Sequence, residues 1–147
     1  MTIDGADEID IHGFHLIEGY GGALLREKLV ALATKRQIIV GDDSKVSERG
    51  LTQKVPSPRS SASARHTVRG AGAIGTEPVL RQSAGGGPFI TDEGHFIYDC
   101  AFGPVADPVA LAATIKALPG VVEHGLFVGL THAIIVARQG GVRTWAR

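Results

Sequence analysis

Apolar residues along the chain fall into short blocks, and the period of each block sets the element it predicts. His15-Leu16-Ile17 is too short for a helix and reads as a strand. Gly19-Tyr20-Gly21-Gly22 then opens a helix over roughly 23–35, in which Leu25, Leu29 and Leu32 recur at the spacing of one helix face. Gln37 to Gly41 is a short apolar run that predicts a buried strand. Asp42-Asp43-Ser44-Lys45 follows as a turn in which an aspartate can cap a further helical turn. Strand, helix and strand joined at glycines predict an α/β layer.

The pattern changes after Gly50. Residues 52–63 are polar, with Pro56 and Pro58 and several serines, and predict a loop. A helix is expected over about 62–74, and strands at 77–82 and 96–100 flank Gly85-Gly86-Gly87. Asp107-Pro108 is a helix start, an N-cap followed by proline in the first turn. Leu111, Ile115 and Leu118 supply that helix with an apolar face, and Pro119-Gly120 ends it. Residues 133–138 and 142–146 around Gly140-Gly141 predict a hairpin. The expected organisation is a large α/β portion over 1–50, a small α+β lobe over 51–130, and strands over 131–147 returning to the large portion.

Composition narrows the chemistry. Fifteen basic residues balance fifteen acidic ones over 147 residues, so no broad field favours nucleic acid or an anionic membrane. No apolar run approaches the roughly 20 residues of a membrane helix. Cys100 is the single cysteine, so no internal disulfide forms, and the scattered histidines lack metal-ligand spacing. The start, Met-Thr-Ile-Asp-Gly-Ala-Asp, is not a signal peptide. A cytoplasmic protein is expected. Asp4 to Asp7 has the look of a strand-end turn, and the strand feeding it is expected upstream of the sequence.

Polar clusters carry candidate chemistry. Asp4-Gly5-Ala6-Asp7-Glu8 places carboxylates in a turn, where they can accept hydrogen bonds from a polyol or cap backbone groups. Gly19-Tyr20-Gly21-Gly22 lets backbone N–H groups approach an anion at a helix N-terminus, or serves turn geometry alone. Glu27 lies about a turn into the helix, as a solvated charge or as a general base over the glycine turn.

In series, these segments resemble type A ribose-5-phosphate isomerases. The resemblance is carried by Asp4-Gly-Ala-Asp7-Glu8, the glycine turn, Leu25-Arg26-Glu27-Lys28 and Asp42-Asp43-Ser44-Lys45. Glu77 to Arg81, Phe89 to Asp99 and Pro119 to Phe127 extend it along the chain. It implies a Rossmann-like α/β domain, lacking its N-terminal part, with an inserted small α+β lobe. It also implies interconversion of ribose 5-phosphate and ribulose 5-phosphate through an enediol(ate), without metal or organic cofactor, in a dimer or tetramer. Glu27 matches the base. Asp4, Gly5, Ala6, Asp7, Glu18, Gly19, Tyr20, Gly21 and Lys45 match positions that bind substrate. The alternative is an impaired relative that binds a sugar phosphate or serves as a partner subunit.

The chain departs from that family in several places. Glu18 stands where the family's loop has lysine, and a carboxylate there is expected to repel a phosphate. Tyr20 adds bulk to the loop. The family's first βαβ units, with their Ser/Thr-rich phosphate loop, are missing from the sequence. Ser57 to Ser63 is polar where the family has an apolar strand.

Overall fold

The computed structural model describes residues 1–59, 72 and 74–147. Most of the helix expected over 62–74 falls outside them. Three sheets organise the described residues. The first contains β1 (Thr2–Asp4), β4 (Gln37–Asp42), β10 (Thr131–Arg138) and β11 (Gly141–Ala146), in the order β1-β4-β10-β11. The β1–β4 and β4–β10 pairs are parallel, and β10–β11 is the hairpin expected from Gly140-Gly141. The strand that feeds the Asp4–Asp7 turn is therefore Thr2–Asp4 itself, correcting the expectation that it lies upstream.

The second sheet has the order β5-β2-β3-β9, from β2 (Glu8–Asp10), β3 (His15–Ile17), β5 (Val46–Ser47) and β9 (Leu126–Phe127). Its strands are two or three residues long, too short to announce themselves by alternation. Ile9, Leu16 and Phe127 from this sheet meet Ile39, Ile134 and Val136 from the first, all fully buried, in one apolar core. A second core gathers Ile17, Leu51, Val55, Ile115 and Leu126.

The third sheet has the order β6-β8-β7, from β6 (Val55–Arg59), β8 (Phe96–Cys100) and β7 (Pro78–Leu80). Strand β6 corrects the loop expected at 52–63 over residues 55–59, and 60–63 lie outside the described residues. It pairs antiparallel with β8 although it contains Pro56 and Pro58. It lies at the sheet edge, where missing N–H groups cost no ladder bond. The carbonyls of Pro56 and Pro58 still work, accepting from Gly125 N at 2.7 Å and Val122 N at 3.0 Å.

Helix α1 spans Leu24–Ala33 and α2 spans Pro108–Lys116. The Asp107 side chain accepts from Ala110 N at 2.9 Å, the N-cap read from Asp107-Pro108. Helix α1 turns a different face inward from the one its leucines suggest. Leu24, Lys28 and Ala31 are buried, whereas Leu29 and Leu32 are 57% and 61% exposed. Strand β4 is likewise covered on one side only: Ile39 is fully buried and Val40 is 44% exposed. Among the described residues no helix is long and apolar enough to cross a membrane.

Candidate active site

The end of β1 and the turn after it carry Asp4 and Asp7. Asp4 Oδ1 accepts from Gly5 N at 2.9 Å, which folds the carboxylate back over the strand end. Gly5 is exposed, while Ala6 packs against the first core. Asp7 Oδ2 accepts from Tyr20 N at 2.7 Å and so ties the acidic turn to the glycine turn. Glu8, next along, points elsewhere. It is 2% exposed, and its carboxylate accepts from Thr52 N, Thr52 Oγ1 and Gln53 N at 2.7 to 3.1 Å. Glu8 thus anchors the chain entering β6 rather than facing the site.

The glycine turn requires its glycines. Gly19 has φ of +107°, and a Cβ there would lie 2.5 Å from Leu24 Cδ2. Gly22 has φ of +93°, and its N donates to Gly19 O at 3.0 Å. Between them Gly21 is exposed. The Tyr20 hydroxyl donates to Lys54 O at 3.0 Å, which holds the ring against 52–54. Arg81 braces the turn from β7's side. Its Nη1 donates to Gly19 O at 2.9 Å and Tyr20 O at 3.0 Å, and its Nη2 and Nε bind Asp99 at 2.5 and 3.0 Å. Sequence reading missed Arg81 and Asp99 as supports. Both lie in segments that carry the family resemblance, but nothing local says that they meet.

Glu18 and Glu27 close the arrangement. Glu18 directly follows β3, with its N donating to Gly125 O at 2.9 Å. Its side chain is buried, and Oε1 has no hydrogen-bond partner. Burial, then the charges of Glu27, Asp4 and Asp7, push its pKa up to about 9, against a smaller opposing pull from Lys45. Glu27, in the first turn of α1, has a buried Oε2 without a partner. Burial, then Asp4 and Asp7, raise its pKa above the ordinary glutamate value. Asp4, Asp7, Glu18, Glu27 and Lys45 therefore share one electrostatic neighbourhood although they come from separate elements. The raised pKa favours the neutral acid at this position and so weakens the repulsion expected from a carboxylate there.

Lys45 lies in a 3-10 turn over Asp43–Lys45, capped by the Asp42 side chain, which accepts from Ser44 N at 2.8 Å. Lys28, beside Glu27 on α1, faces the opposite way. Its ammonium binds Glu123 Oε1 and Leu126 O, each at 2.9 Å, and His124 O, and sits 4.8 Å from the centre of the Phe127 ring. Burial lowers its pKa to about 8 despite the Glu123 charge. This clamp fixes α1, and with it Glu27, against the segment 123–127.

A cavity of about 680 Å³ lies beside this cluster, not over it. Tyr20, Thr52, Gln53, Lys54, Arg81 and Asp99 line it with Ala101 and Gly103, and Glu27 does not. Its walls hold an arginine already paired with an aspartate. Within the acidic cluster, the buried carboxyl oxygens without a hydrogen-bond partner are Glu18 Oε1 and Glu27 Oε2. Among the described residues, no group of His, Cys, Asp or Glu side chains is placed to hold a metal ion.

The fold and site define an α/β protein whose carboxyl groups converge at strand ends beside a glycine turn, with one glutamate presented from a helix. Known proteins share this fold. The family described as ribose 5-phosphate isomerase A (phosphoriboisomerase A) matches residues 1–141. Ribose-5-phosphate isomerase A of Synechococcus sp. is 46% identical over 145 residues, 98% of this chain and 63% of its own length. That of Roseiflexus castenholzii is 47% identical over 143 residues, covering 97% and 61%. Ribose 5-phosphate isomerase from Plasmodium falciparum superposes with a TM-score of 0.92 at 37% identity, over 99% of this chain and 65% of that one. A D-ribose-5-phosphate isomerase in complex with phospho-erythronic acid superposes at 0.93 with 30% identity, over 99% and 64%. The chain belongs to the ribose 5-phosphate isomerase A family, and spans under two thirds of the length of these relatives.

Proposed function

We propose that this site interconverts D-ribose 5-phosphate and D-ribulose 5-phosphate through an enediol(ate), with Glu27 moving the proton between C1 and C2. The observation that carries the reading is the Glu27 carboxyl. One of its oxygens is buried and unpartnered beside Asp4 and Asp7, on a helix clamped by Lys28, in a chain of this family. Its raised pKa makes it a better proton acceptor than an ordinary glutamate, which suits a group that must take and return a proton.

Asp4 and Asp7 would accept hydrogen bonds from sugar hydroxyls, and Gly5 and Ala6 would shape their turn. Gly19, Tyr20 and Gly21 would form the rim over the substrate, with Glu18 beneath it and Lys45 contributing the positive charge. The reaction in this reading needs no metal or organic cofactor. We assign 1–50 and 131–147 to the large α/β domain and 51–130 to the lobe, supported by β10 pairing with β4. A cytoplasmic homo-oligomer, dimer or tetramer, fits the exposure of Ile3, Leu29, Leu32 and Val40.

A coupled assay for ribulose 5-phosphate formation tests the proposal, with Glu27→Gln as the diagnostic variant. The variant should lower kcat by a factor of about 10² to 10⁴ and change substrate affinity little. Activity within a few-fold of the parent refutes Glu27 as the base. A second reading rests on the chain's matching only 63% of a relative's length: a sugar-phosphate-binding subunit that needs a further segment for turnover. Calorimetric binding of ribose 5-phosphate without turnover by the 147-residue chain supports it.

A further inference from the structure

Buried carboxyl groups need partners, and burying the ionised form without one is costly. Glu18 is the more deeply buried of the two site glutamates that have an unpartnered oxygen. It is 7% exposed and its Oε1 has no hydrogen-bond partner. Its backbone is held tightly: Glu18 N donates to Gly125 O at 2.9 Å, and a Cβ at Gly125 would collide with the Glu18 carbonyl oxygen. Burial, Glu27 on α1, Asp4 on β1 and Asp7 in the following turn all disfavour its carboxylate, and Lys45 alone among the charges acting on it opposes them.

The geometry points to Glu18 as the hydrogen-bond and proton donor of this site, opposite Glu27 and acting on the carbonyl and hydroxyl oxygens of the bound sugar. The inference rests on the sugar-phosphate reading and deepens it. A site holding two carboxyl groups in different protonation states has its acid and its base. Glu27 as carboxylate takes the proton from C2 of the open-chain aldose. The C2–H electron pair becomes the C1–C2 double bond, the C1–O1 π pair moves to O1, and O1 takes the Glu18 proton. In the second half, Glu18 as carboxylate takes the proton from the O2 hydroxyl and the C2–O2 double bond forms. The C1–C2 π pair then takes the proton held by Glu27, giving the ketose and returning both side chains to their starting states. A neutral acid delivers hydrogen-bonding to a developing oxyanion as an ammonium would, without fixed charge.

Two measurements on the 147-residue protein test this. In a ¹³C NMR titration of glutamate side-chain carboxyls, assigned with Glu18→Gln, the Glu18 signal should titrate above pH 7. It should move to lower pH in Glu27→Gln, where a like charge is gone. By calorimetry at pH 7, Glu18→Gln, which keeps an N–H donor, should bind ribose 5-phosphate within about threefold of the parent, and Glu18→Leu at least tenfold more weakly. The parent should lose affinity above pH 9 and Glu18→Gln should not. A Glu18 that titrates below pH 6, or a Glu18→Leu variant that binds like the parent, overturns the donor role while leaving the sugar-phosphate reading intact. A high-titrating Glu18 in a protein that binds no ribose 5-phosphate at any pH overturns the sugar-phosphate reading, and the donor role with it.

Discussion

Replacing Glu18 with glutamine should stabilise this protein, and the gain should grow with pH. A group whose folded pKa is raised contributes stability that is present below its unfolded value and is lost as pH rises through the folded value. For Glu18 those limits are 4.5 and about 9. At pH 7 the folded chain holds Glu18 protonated while the unfolded chain would release that proton. The difference spans two and a half pH units, at ~1.4 kcal/mol each, an upper limit of about 3–4 kcal/mol. Relaxation around the side chain lowers this, leaving about 1–3 kcal/mol at pH 7 and more at pH 9. Glutamine has the shape of the neutral acid and carries no such cost. For a chain of this size the expected rise in Tm at pH 7 is roughly 3–10 °C. Urea unfolding of parent and Glu18→Gln at several pH values between 4.5 and 9 measures it directly. The two should coincide near pH 4.5 and separate steadily above it. A separation that stays constant across that range, or a variant less stable than the parent at pH 8, refutes the reasoning that Glu18 is buried as a neutral acid.

Other sites give independent expectations. Glu8→Ala removes the acceptor of Thr52 N, Thr52 Oγ1 and Gln53 N and should cost about 2–4 kcal/mol in chemical denaturation, with Glu8→Gln recovering part; a loss under about 0.5 kcal/mol contradicts its role as an anchor. Burial and the Lys28 charge hold His124 down at about 4 from 6.5, so its contribution is present above pH 6.5 and lost as pH falls towards 4. The parent should therefore lose stability relative to His124→Gln across that window, and an unchanging difference would count against a buried neutral His124. Gly19→Ala should misplace the glycine turn, because its φ of +107° and the Leu24 side chain 2.5 Å from the new methyl both oppose it. Ribose 5-phosphate affinity measured by calorimetry should drop at least tenfold, and an unchanged value would show that the turn does not shape the site.

Much of this molecule follows from local chemistry. The Asp107 cap, the Gly140-Gly141 hairpin, the β3–α1–β4 run and the Asp42 cap all depend on residues a few positions apart, and each was legible from turn residues and period. The candidate carboxylates were legible too, as positions in motifs. What required the tertiary structure is everything set by distant partners. Leu25, Leu29 and Leu32 spell an apolar face, but the side of α1 that turns inward is the one where Lys28 finds Glu123, His124 and Leu126. Those acceptors lie some 95 or more positions away. Pro56 and Pro58 read as a loop because local rules penalise them in strands, and β8 makes a strand of them at an edge that needs no donors. Glu18 reads as a negative charge. Only its burial in the fold, with Glu27, Asp4 and Asp7 gathered around it, favours the neutral acid, because the cost of a charge depends on its distance in space from water and other charges.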